Sequence, residues 1–131
     1  MVKNMPEIGE IVWNNFSQLN ARKIKQFYSK VVGWKPRPQT MGDSDDYVML
    51  SPKTKNNISC VCHKRGSNAD FRPQWLVYMI VSNLTKSISA FKKLGGKVII
   101  KLKPYGNMGK YCVIQDPACA FCALFESKEN K

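Results

Sequence analysis

The sequence predicts an α+β fold of two tandem βαβββ modules, forming a curved mixed sheet around a cavity with the helices on its outer face. Three observations carry that prediction. The 131 residues, 44% hydrophobic and 11% aromatic, suffice for one sizeable core and leave little for a second. Each half runs strand, helix, then three short strands. An offset of 63 residues lays Asn20 on Asn83, Tyr28 on Phe91, Gly33 on Gly96 and Trp13 on Leu76, the mark of an internal duplication. A unit of that size cannot cover both faces of its own strands, so it pairs with its copy.

The elements follow in order. Ile8 to Ser17, rich in β-branched and aromatic residues, predicts the first strand. Asn20 caps a helix over residues 21–32, where Ala21, Ile24, Phe27, Tyr28, Val31 and Val32 recur at three-and-four spacing, and Gly33 ends it. Short strands are expected at 34–37, 47–50 and 58–62, separated by Gly, Pro, Asp and Asn turn residues. This first module spans about 8–63, and a polar linker of about 64–73 leads to a second module of about 74–126 within one domain of 1–131. There, Trp75 to Val81 predicts a strand, and Asn83 caps a helix carrying Leu84, Ile88, Phe91 and Leu94. Gly95 and Gly96 end the helix before strands at 97–102, 109–115 and 119–126. The loop Lys103 to Gly109, with two glycines and an aromatic, is expected to be a flap.

The run from Trp13 to Trp34, with Asn20, Phe27-Tyr28 and Gly33-Trp34, resembles the opening of the vicinal oxygen chelate superfamily, which groups glyoxalases, bleomycin-resistance proteins and extradiol dioxygenases. Trp75 to Asn83, Leu94 to Val98, Gly109 to Tyr111, Asp116-Pro117 and Ala120-Phe121 are similar to its second module in order and spacing, so the resemblance covers about residues 8–126. It implies a divalent ion held by side chains on the first and last strand of each module, polarising two vicinal substrate oxygens. The implied ligand positions are Trp13, Cys60, Leu76 and Ala123, of which Cys60 alone can ligate. A hard ion needs several oxygen or imidazole donors, so no metal ligand set and no cofactor is expected. Cys119 stands where the superfamily's Asp-Pro-x-Gly turn has glycine, so that turn must avoid the left-handed conformation or carry strain.

Strand alternation sets the expected ligand-binding cavity. Trp13 and Asn15, Leu76 and Tyr78, and Phe121 and Ala123 line it, an aromatic and mostly apolar surface with few polar groups. The expected function is that of a glyoxalase/bleomycin-resistance-like protein binding a small organic molecule without a catalytic metal. The alternative is a metal-dependent lyase or isomerase of the glyoxalase type. His63 is placed at an exposed strand end, and Asp43, Asp45 and Asp46 in a turn. Zinc on Cys60, Cys62, His63, Cys119 and Cys122 is disfavoured, because Cys119 and Cys122, three apart, point to opposite faces of a strand.

The charge, 21 basic against 9 acidic residues for +12, raises nucleic acid as a partner. The basic residues are scattered and only four are arginine, which disfavours it. Five cysteines without an export signal imply reduced thiols and a cytoplasmic protein. No apolar run is long enough for a membrane span. The resemblance implies a homodimer.

Overall fold

A computed structural model describes residues 7–42, 44–63 and 72–128. The elements are β1 (Ile11–Gln18), α1 (Ala21–Val32), β2 (Lys35–Thr40), β3 (Asp45–Leu50), β4 (Asn57–His63), β5 (Trp75–Ile80), α2 (Leu84–Lys93), β6 (Lys97–Tyr105), β7 (Gly109–Gln115) and β8 (Phe121–Ser127). The α+β fold with its repeated βαβββ order is therefore present. Most of the expected linker, residues 64–71, and Asp43 lie outside the described residues.

The chain forms two compact units, Trp13–Trp75 and, from Leu76 on, the second half together with the residues before Trp13. In the first unit the strand order is β2-β3-β4-β1, with β4 parallel to β1 and the other pairs antiparallel. Asn20 starts α1 by accepting the Lys23 N–H at 3.1 Å, and Gly33 ends it at φ 91° with its N–H on the Ser29 carbonyl. The helix buries Ala21 against Tyr47, Met49 and Val61, with Ile24, Tyr28, Trp34 and Trp75 packed around them. Asp45 and Asp46 are not in a turn: both lie in β3, and Asp46 is buried.

The second unit repeats the pattern as β5-β8-β7-β6, with β5 parallel to β8. Asn83 caps α2 through the Lys86 N–H at 3.0 Å, and the Glu126 carboxylate accepts the Leu84 N–H at 2.8 Å, an anion at the positive end of the helix. Leu84, the first residue of α2, packs on Cys112, Ile114 and Leu124 of the sheet, with Met79, Ile88, Phe91 and Cys122 at the edge of this cluster. At Gly96 a Cβ would stand 2.9 Å from the Phe91 ring, so only glycine lets the chain turn back under the helix.

Several strand boundaries differ from expectation: β2 ends at Thr40 rather than Arg37, β3 starts at Asp45 rather than Tyr47, and β8 starts at Phe121 rather than Cys119. β1 starts at Ile11 rather than Ile8, because Gly9 turns at φ 91° and its N–H binds the Ile80 carbonyl instead. β6 runs on to Tyr105, so the expected flap shrinks to the short turn between Tyr105 and Gly109. Pro104 is tolerated because β6, at the end of the strand order, needs donors on one side only, as do Pro36 and Pro38 on β2.

Candidate functional site

In the second unit the face averted from α2 is aromatic. Alternation turns Cys112, Ile114 and Leu124 toward the helix, which leaves Tyr111, Val113, Ala123 and Phe125 on the other side. Tyr78 pairs with Ala123 and Tyr111 with Phe125 in the register, and bulges in β6 bring Lys103 opposite Tyr111 and Tyr105 opposite Gly109. The Tyr105 ring lies 5.8 Å from Tyr78, 5.4 Å from Tyr111 and 5.7 Å from Phe125, each crossing at a steep angle. Tyr78 and Ala123 form a buried floor, while Tyr105, Tyr111 and Phe125 are half-buried around it. Burial raises the Tyr111 pKa, so its phenol stays protonated and can donate a hydrogen bond.

Of the residues predicted here, Leu76 and Tyr78 are buried on β5, and Phe121 has the same parity on β8 as Ala123. Tyr105 and Tyr111 were missing from the sequence-based set. Tyr111 shares the face of Val113, which the β7–β8 register sets opposite Ala123, and Tyr105 depends on the β6 bulges; no residue pattern announces either.

In the first unit, Val61 faces α1, so Cys60 and Cys62 lie on the averted face. Trp13, Asn15 and Ser17 share that face, Asn15 pairing with Cys60 and Ser17 with Cys62. The Trp13 indole N–H is buried without a hydrogen-bond partner among the described residues. The Cys60 and Cys62 sulfurs are 2.7 Å apart, and the Asp46 carboxylate accepts the His63 backbone N–H at 3.0 Å. Asp46, Cys60 and Cys62 place their ligating atoms within 4.8 Å of one another. His63 is half-buried rather than exposed and contributes its backbone, not its imidazole, to this cluster. In the other unit Cys122 packs beneath α2 and Cys119 is exposed at a turn.

The oxygen-chelating ion implied by the resemblance does not fit. Leu76 and Ala123 are buried apolar side chains at two of its four positions, and the third, Trp13, offers an N–H donor where a ligand needs a lone pair.

No protein-family model and no curated protein matches this sequence. Solved structures do. A methylmalonyl-CoA epimerase in complex with methylmalonyl-CoA and ammonium superposes with a TM-score of 0.59 at 9% identity, over 95% of this chain and 99% of that one. The Mycobacterium tuberculosis methylmalonyl-CoA epimerase gives 0.58 at 10%, over 91% and 87%. An NAD-dependent benzaldehyde dehydrogenase from Legionella pneumophila gives 0.59 at 12%, over 88% and 98%. The chain has the fold of the vicinal oxygen chelate superfamily. Among the described residues no helix is long and apolar enough to cross a membrane.

Proposed function

We propose that this protein binds a small organic molecule on the aromatic face of its second unit, in the manner of the drug-sequestering members of the superfamily and without the superfamily's oxygen-chelating metal. The observation that carries the reading is the set of three half-buried rings, Tyr105, Tyr111 and Phe125, standing around the buried Tyr78 and Ala123. Half-buried rings offer stacking surface, and the phenols of Tyr105 and Tyr111 supply orienting hydrogen bonds. Lys103, on the same face by register, favours a ligand with a carboxylate or phosphate. The epimerases that share the fold act on an acyl-CoA, so acyl-CoA thioesters belong in the ligand panel beside aromatic carboxylates. Homodimer formation and a cytoplasmic location complete the proposal, with sedimentation velocity as the check on the former.

The test is a thermal-shift titration with that panel, with and without EDTA. The expected result is a saturable ligand-induced rise, about 2.7 kcal/mol at a hundredfold excess over Kd. The increment survives EDTA and is lost in Tyr105→Ala, whose ring is only half-buried. A panel without any saturable shift, or an increment abolished by EDTA, overturns the reading.

A further inference from the structure

The cluster of Asp46, Cys60 and Cys62 lies outside the aromatic face and shares only Cys60 with the implied oxygen-chelating positions. Its assembly follows from strand geometry. Cys60 and Cys62, two apart on β4, point the same way, and the antiparallel register that pairs Tyr47 with Val61 and Val48 with Cys60 sets Asp46 beside Cys62. The His63 N–H at 3.0 Å orients the Asp46 carboxylate toward β4. Asp46 is buried and the two thiols are half-buried, so the donors are held by the sheet yet open to solvent on one side.

We propose that Asp46, Cys60 and Cys62 bind one thiophilic divalent cation of the zinc type, with two thiolates and one carboxylate as ligands. Thiolates select zinc-like ions over magnesium or calcium, and a carboxylate is an accepted third donor. Three protein ligands leave one tetrahedral position for water or a ligand atom. Zinc–sulfur bonds of about 2.3 Å hold two thiolates about 3.8 Å apart, so the sulfurs separate by about 1 Å as the ion enters. Half-buried side chains can make that rotation without moving the strand. Each thiol gives up its proton to solvent as its sulfur lone pair binds the ion, so two protons are released per cation and affinity rises with pH. A ligand search by spacing alone misses this site, because Asp46 comes from another strand, 14 residues before Cys60.

The test uses reduced, chelator-stripped full-length protein titrated with Co²⁺ and back-titrated with Zn²⁺. A sulfur-to-cobalt charge-transfer band should saturate at one equivalent and be displaced by zinc. Cys60→Ser and Cys62→Ser each lose most of the band, Asp46→Asn weakens binding by about tenfold or more, and Cys119→Ser, at an exposed turn, leaves the titration unchanged. Wild-type protein supplies a second measurement independent of any variant's folding: zinc should slow alkylation of Cys60 and Cys62, mapped by peptide mass spectrometry, and leave Cys119 as reactive as before. No band, a band that survives loss of both cysteines, or unchanged alkylation overturns the proposal. So does a Cys60–Cys62 disulfide that re-forms in the presence of stoichiometric zinc. This site and the aromatic face fail separately, since the ligand-induced shift is measured as an increment over metal-free protein.

Discussion

Cys119 sits at φ 70°, in the left-handed region that disfavours residues with a Cβ. The turn is held from outside that residue. The Asp116 carboxylate accepts the Ala118 and Ala120 N–H groups at 2.8 and 3.0 Å, and the Asp116 carbonyl accepts the Cys119 N–H at 2.9 Å. Asp116 thus imposes the conformation and Cys119 bears its cost, the strained one of the two outcomes the missing glycine allowed. Cys119→Gly should raise stability by about 0.5–1 kcal/mol, less than the full strain because glycine also loosens the unfolded chain; an unchanged or lower melting temperature counts against it. Cys112, fully buried beneath α2, is a different case, its thiol pushed up to about 11 by burial and then by neighbouring Cys122. The native state keeps that proton where the unfolded chain has released it, so stability is level below about pH 9 and falls between about pH 9 and 11, by roughly 2–3 kcal/mol. Urea midpoints across that range should decline more steeply in the wild type than in Cys112→Ala. Both effects concern single side chains, and the second is invisible without knowing what covers the thiol.

At the scale of elements, the helices were the most legible. Asn20 and Asn83 each accept an N–H from the third residue on, the local geometry that asparagine before an amphipathic run announces. Replacing either by alanine should cost about 1 kcal/mol, read as a lower urea midpoint with an unchanged slope, whereas a loss below a few tenths would mean the cap is dispensable. Strand ends were less legible, since tertiary partners set them. Gly9 stops β1 at Ile11 by turning its N–H to Ile80, and β6 continues through Pro104 because an edge strand can spare a donor. The consequence reaches the candidate site: the continuation of β6 turns Tyr105 from a residue of an expected flap into a member of the ring cluster.

For the whole molecule, 21 basic residues against 9 acidic ones repel in every compact state. Raising salt from about 10 to about 150 mM shortens the Debye length from about 30 to about 8 Å, so the melting temperature should rise. A flat or falling response would mean that the charges are already locally neutralised. The same screening should strip any retained nucleic acid, which a scattered lysine surface holds through counterion release alone.

The order of elements, both helices, their caps and the duplication were written in local pattern, because capping and periodicity act over three or four residues. The alternation on β5 and β8 likewise told which side chains share a face, and the resemblance led to Trp13, Leu76 and Ala123 as positions unable to ligate. Side chains brought together from different strands were not legible. Asp46 meets Cys60 and Cys62 through the β3–β4 register, and Tyr105 joins Tyr111 and Phe125 through bulges in β6. Register and bulges are set by how whole strands settle against their neighbours, and a one-residue change reverses every side chain on the strand. Composition and spacing therefore determined the architecture, while the tertiary structure alone decided which chemical groups stand within reach of one another.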